Sequence, residues 1–207
     1  LIAIILRLLA FVPAIVLHEV SHGVVANHYG DDTAKRMGRL TLNPLSHIDL
    51  FGTIILPVML AVTGLPPIGY AKPVPVNFAR LRKPRNQSVL VSLAGPVTNA
   101  ILSFIGWIAL DIMIRNHVNL ASNIVLFVFD FGIINLFMTV FNLIPIPPFD
   151  GSAILERLVP RTHLAKYFQL RARALPFALL IMIIVLNTSL GQGFFNHIEN
   201  WWISTLP

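Results

Sequence analysis

The chain has 207 residues, of which 56% are hydrophobic and 12% charged, and its mean hydropathy is +0.76. A soluble core cannot bury that much apolar surface in so short a chain, so lipid is the expected solvent for much of it. The absence of cysteine excludes a disulfide framework and any thiolate metal site, and the net charge of +6 fits basic loops of a membrane protein better than nucleic-acid binding.

Residues 1 to about 28 form one apolar segment long enough to span a bilayer as a helix. Pro13 is placed to kink it and Gly30 to end it. Residues 31–46 turn polar, and R-M-G-R-L-T-L-N within them alternates loosely, as a short strand would. Residues 50–64 are apolar but short and carry Pro57, which fits a re-entrant or short helix sheltered by protein. Residues 65–86 are proline-rich and read as a loop. Second and third spans are predicted over 88 to about 114 and 120 to about 146. A further span is predicted over 174–190, followed by Trp201 and Trp202 at the place of an interfacial anchor. The expected fold is an all-α polytopic membrane protein: a helical bundle with a short strand-like or re-entrant segment after the first transmembrane helix.

Basic residues orient this bundle. Lys35, Arg36 and Arg39 lie in the first polar loop, and Lys72, Arg80, Arg82, Lys83 and Arg85 in the second. Arg157, Arg161, Lys166, Arg171 and Arg173 lie in the third. All three loops fall on one side only if residues 50–64 do not cross, which the positive-inside rule favours.

The first span ends in H-E-V-S-H. His18 and His22 are four apart, so on a helix both reach one ion. Neutral imidazoles suit zinc, and Glu19 is then placed as general base toward a water that the metal activates. With 7 histidines in the chain, H-E-x-x-H is expected by chance on the order of 0.003 times. A third protein ligand is needed. The acidic candidates are Asp111, Asp130, Asp150 and Glu156. Asp150 stands out in N-L-I-P-I-P-P-F-D-G, where prolines break the third span and Gly151 permits an unusual backbone angle. Glu156 is the competing ligand, or a solvated partner of Arg157. Asp130 lies mid-span and needs a polar partner. Asp111 and Arg115 are spaced for a local pair.

These motifs together resemble the site-2 protease family of intramembrane zinc metalloproteases. The resemblance runs through H-E-V-S-H, G-R-L-T-L-N-P-L-S-H-I-D-L-F-G-T, G-Y-A-K-P-V-P-V-N, S-L-A-G-P-V-T-N and N-L-I-P-I-P-P-F-D-G. It is closest to the compact prokaryotic branch, with no room for a PDZ or CBS domain. Phe149 stands where the family's final motif has leucine, which keeps bulk and apolarity.

The resemblance implies one transmembrane metalloprotease domain over residues 1–207. It implies one zinc ion on His18, His22 and Asp150, with Glu19 as catalytic base. Asn142 matches an asparagine that holds the substrate or the oxyanion, though a capping or interhelical role is equally open. In S-L-A-G-P-V-T-N, Ala94 and Gly95 would let the second span approach the first closely, and Asn99 would bond across. His47 reads as structural. The expected setting is the cell membrane, as a multi-pass protein, with transmembrane proteins as substrates and no nucleic acid. Oligomeric state is left open. The alternatives are a catalytically silent relative serving as a scaffold, a metal-binding transporter, and an H-E-x-x-H protease with glutamate as third ligand.

Overall fold

The computed structural model describes residues 2–62, 71–186 and 188–207. The end of the 50–64 segment and the first two residues of the matched G-Y-A-K-P-V-P-V-N loop therefore lie outside the described residues.

Among the described residues, three helices are long and apolar enough to cross a membrane: α1 (Ile2–His28), α4 (Pro84–Arg115) and α5 (Asn123–Asn142). Between the first two lie the short helices α2 (Thr33–Arg36) and α3 (Leu56–Val62). After α5 come α6 (Ser152–Leu158), α7 (Leu164–Leu186) and α8 (Ser189–Ser204). The described residues contain no strand, and the predicted strand over R-M-G-R-L-T-L-N is instead the end of α2 followed by irregular chain.

Packing of the three long helices is inverted relative to a soluble bundle. Ile4, Leu8, Ile101, Phe104, Ile108 and Ile124 are exposed, while His18, Asn99, Ser103 and Asn135 are buried. Such a surface suits lipid, and the polar interior is where ionisable groups in a membrane belong. Small residues bring the helices together. A Cβ on Gly106 of α4 would lie 2.8 Å from Gly132 Cα of α5, so these backbones touch.

The chain leaves His47 and returns to it. Lys72 donates its N–H to His47 O at 2.9 Å. The excursion between them contains a π-helical turn (Leu50–Ile55) and α3. Together they run at most about 20 Å, short of the roughly 30 Å hydrocarbon core. The two ends of the excursion thus meet at one point, in keeping with basic loops on one side of the bundle. Arg82 then donates to Tyr29 O at 3.0 Å, which sets the start of α4 beside the end of α1. So α4 runs antiparallel to α1, and α5 returns to the basic end.

Two polar side chains of the spans find partners far from that end. Asp130 accepts from Arg7 Nε at 3.2 Å, tying α5 to α1. Asp111 accepts from Arg115 at 2.8 Å, the expected local pair. The predicted 174–190 span is not one helix, since α7 ends at Leu186 and Thr188 caps α8. Trp202 is not an interfacial anchor. It is buried against Gly132 and Phe129, and only Trp201 is exposed.

Candidate metal centre

His18 lies ten residues before the end of α1, about 15 Å along the axis. Helical spacing puts His22 one turn further on the same face, and their rings meet edge to face with centroids 4.8 Å apart. Asp150 comes from the chain after α5. Leu143 ends that helix, and Gly151 N–H returns to Asn142 O at 2.7 Å, closing the L-I-P-I-P-P-F-D stretch into a compact loop. The loop aims Asp150 Oδ2 at the histidines, 3.1 Å from His18 Nε2 and 3.4 Å from His22 Nε2. One ligand atom from each of the three residues falls within 4.8 Å of the others.

Gly151 serves this loop differently from the expectation. Its φ of −57° and ψ of −20° are ordinary helical values. What it supplies is space, because a Cβ there would press on the Leu143 and Ile144 carbonyls.

The far nitrogens of both imidazoles are committed. His22 Nδ1 lies 2.7 Å from Val91 O, a carbonyl that can only accept, so Nδ1 carries the proton. His18 Nδ1 faces Asn99 Oδ1 at 2.5 Å, and Asn99 Nδ2 donates to Ala14 O at 3.2 Å and Asn135 Oδ1 at 2.7 Å. That amide orientation makes Oδ1 an acceptor, so His18 also holds its proton on Nδ1. In the neutral state both Nε2 atoms therefore present lone pairs, and they face each other at 3.1 Å. The third group is negative. It is the Asp150 carboxylate, whose Oδ2 lies beside both Nε2 atoms. Asp150 Oδ2 is buried without a hydrogen bond. Two imidazole nitrogens and one orphaned carboxylate oxygen converging on one point fit a divalent cation, and the N,N,O donor set suits zinc.

Space for this centre comes from Gly95 of α4. A Cβ there would lie 2.5 Å from His18 Cε1 and 2.5 Å from His22 Nε2. The S-L-A-G-P-V-T-N segment thus does what its small residues suggested, and Asn99 does bond across to α1.

Glu19 sits on the same turn of α1 as the histidines. Its Oε2 accepts from Val74 N–H at 2.9 Å, so the A-K-P-V-P-V-N loop reaches into the centre. Asn77 N–H of that loop donates to the buried Asp31 at 2.6 Å, just past α1. Glu156 is not at the metal centre: it pairs with Arg171. Asn142 lies at the end of α5, where its Nδ2 donates to Met138 O at 2.9 Å. His47 is buried and its Nε2 donates to Thr41 O at 2.9 Å, a loop-holding bond. Asn135 and Val74 escaped the sequence reading. An asparagine in the middle of a span was the available signal for the first; a backbone N–H leaves none for the second.

With this geometry in hand, the comparisons with known proteins agree on a class. The model of peptidase family M50 matches residues 6–121 and 111–186. The chain belongs to that family, the site-2 protease family of membrane metalloproteases. Three relatives each bear the name "Putative zinc metalloprotease". YwhC of Bacillus subtilis is 40% identical over 85% of this chain and 77% of its own. Rip2 of Mycolicibacterium smegmatis is 29% identical over 96% of this chain and 73% of its own. MJ0611 of Methanocaldococcus jannaschii is 30% identical over 73% of this chain and 70% of its own. No solved structure matches the chain at a significant level.

Proposed function

We propose that the protein is an intramembrane zinc metalloprotease of the cell membrane, hydrolysing peptide bonds in or near transmembrane segments of other membrane proteins. The observation that carries this is the orphaned Asp150 Oδ2 facing the Nε2 atoms of His18 and His22, with Glu19 on the same helical turn. His18, His22 and Asp150 would hold the ion. Zinc bound there would polarise the scissile carbonyl and lower the pKa of a water toward about 7.

Glu19 takes a proton from the attacking water and delivers it to the leaving amine. Val74 N–H holds the Glu19 carboxylate in place for both transfers. Asn142 is the candidate to bind the carbonyl oxygen as charge develops there, with the second of its two Nδ2 hydrogens while the first stays on Met138 O. Water enters from the basic side, where the loop bearing Asp150 closes the bundle.

A transmembrane substrate must unwind before a carbonyl is accessible, and its freed backbone groups need partners. The 71–77 loop already gives the N–H groups of Lys72, Val74 and Asn77 to the protein itself. In the irregular 39–43 segment Arg39 and Asn43 also give their N–H groups to the protein, which leaves Leu40 to Leu42 as the candidate stretch to pair with a substrate.

The test is zinc analysis joined to a cleavage assay on wild type and Glu19→Gln. About one zinc per chain is expected in both, with cleavage abolished in the variant. Undiminished cleavage by Glu19→Gln would remove Glu19 from the mechanism.

A further inference from the structure

The basic end of the bundle carries a feature that proteolysis leaves unused. A cavity of about 660 Å3 is lined by Lys83, Pro84, Arg85, Asn86, Arg157 and Arg161. Four of these are cations and none is an acid. The cavity joins elements far apart in the chain, the start of α4 and the residues around the end of α6. Arg85 donates to Arg157 O at 2.9 Å and Val159 O at 2.8 Å, and Arg157 donates to Asn86 Oδ1 at 2.8 Å.

Basic loops on the inner side of a membrane ordinarily stand free in water. Here Lys83, Arg157 and Arg161 are exposed, but Arg85 is drawn into the fold. Arg85 Nε is buried and has no hydrogen-bond partner among the described residues. Pro84 opens a helix of 32 residues, whose positive dipole end adds to the field of the four side chains. The ligand that satisfies such a place is an anion rich in acceptor oxygens.

A second cavity, of about 540 Å3, shares Pro84, Arg85, Arg157 and Arg161 with the first. Its remaining wall includes Phe78, Leu164 and Phe168. Its acid, Glu156, is already paired with Arg171. A cationic, polar end therefore opens onto a slot with one apolar wall, at the end of the spans where lipid head groups lie. A soluble anion would use only the first half.

We propose that the linked cavities bind the phosphate head group of an anionic phospholipid, with the start of an acyl chain along Phe78, Leu164 and Phe168. Basic pockets between spans suit such head groups. The site has a structural consequence. A head group bridging Lys83 and Arg161 would clamp α6, which follows Asp150 directly, to α4, whose Gly95 backs the histidines.

Native mass spectrometry of the full chain in neutral detergent tests this, with phosphatidylglycerol or phosphatidylcholine titrated in. One phosphatidylglycerol should be retained per chain in preference to phosphatidylcholine. Lys83 and Arg161 have exposed side chains, so replacing them leaves the helix contacts intact. Each of Lys83→Gln and Arg161→Gln should weaken binding about fivefold, the contribution of one basic side chain near anionic lipid. Lys166→Gln, exposed and outside both cavities, removes the same charge and should change nothing. Equal retention of the two lipids overturns the proposal. So does an equal loss in Lys166→Gln, which would mark a diffuse surface field. Complete displacement of phosphatidylglycerol by inorganic phosphate would assign the cavity to a soluble anion and remove the lipid.

Discussion

Val74 N–H donates to Glu19 Oε2 at 2.9 Å, joining residues 55 positions apart. The contact is held from three sides. Val74 is buried, its side chain lies where a Cβ on Gly23 would be, and Asn77 of the same loop is fixed to Asp31. A hydrogen bond to a charged group contributes about 1.5–3 kcal/mol. Val74→Pro removes the donor and keeps the extended backbone that Pro73 and Pro75 already impose. Turnover should fall roughly tenfold or more, with zinc content and KM unchanged. Steady-state kinetics on the zinc-loaded variant checks this, and unaltered kcat would make the contact incidental.

The asparagine chain makes a claim about the metal. Asn135 orients Asn99, and Asn99 fixes the proton of His18 on Nδ1. Partners of this kind commonly contribute about 10–100-fold to metal affinity. Asn99→Ala should weaken zinc binding by that order, read by competition with a chelator rather than by activity. Asn135→Ala should cost less, since Asn99 keeps its bond to Ala14 O. If Asn99→Ala holds zinc as tightly as wild type, the chain serves packing alone.

The sequence made some of this legible and hid the rest for physical reasons. His18 and His22 are local: a helix period and a run of apolar residues suffice to put them on one face. Asp150 was reachable because prolines and charge bias fix where a span ends. The non-crossing reading of the 50–64 segment rested on its length and the basic loops on either side, and the contact of Lys72 with His47 agrees with it. Val74 and Val91 act through backbone groups, which no residue identity announces. Gly151 was misread because its value is a close approach across a loop, and only the fold says what stands opposite. Trp202 was misread for a similar reason, since α8 folds back onto the Gly132 notch that a tryptophan at a chain end gives no hint of.

Asp150 and Glu156 separate cleanly by variant. Asp150→Asn keeps the shape but removes the charge that faces two lone pairs, so zinc stoichiometry should drop well below one per chain. Glu156→Gln removes only a partner of Arg171 and should retain the metal. Metal analysis after extensive dialysis reads both. Loss of zinc in Glu156→Gln alone would move the third ligand to that residue.

Gly95 should tolerate nothing larger. A Cβ would stand 2.5 Å from His18 Cε1 and from His22 Nε2 and 2.6 Å from His18 Nε2. Neither ring can swing aside without leaving Asn99 or Val91. Overpacking of this kind costs about 1–3 kcal/mol, here paid by displacing α4. Gly95→Ala should lower the unfolding temperature in detergent and reduce zinc binding together. Ala94→Ser, next door, is the control expected to leave the metal in place.

Asp31 makes the loop over Glu19 sensitive to acid. It is fully buried just past α1. Burial raises the proton affinity of its carboxyl, but hydrogen bonds from Thr33 and the Asn77 N–H, with Arg80 nearby, outweigh this and leave its pKa below the ordinary value. A carboxylate lowered in the folded state stabilises fully above its unfolded pKa of about 3.9. That contribution fades as pH falls through the lower folded value. Asp31→Asn should therefore be less stable than wild type at neutral pH, by roughly 1–3 kcal/mol for the charged hydrogen bonds lost. The gap should narrow as the pH drops below about 4, because wild type then loses what the variant never had. Thermal unfolding of both proteins in detergent between neutral pH and about pH 3 reads the gap directly. A gap that stays constant across that range would show that the Asp31 charge does not hold the Asn77 end of the loop.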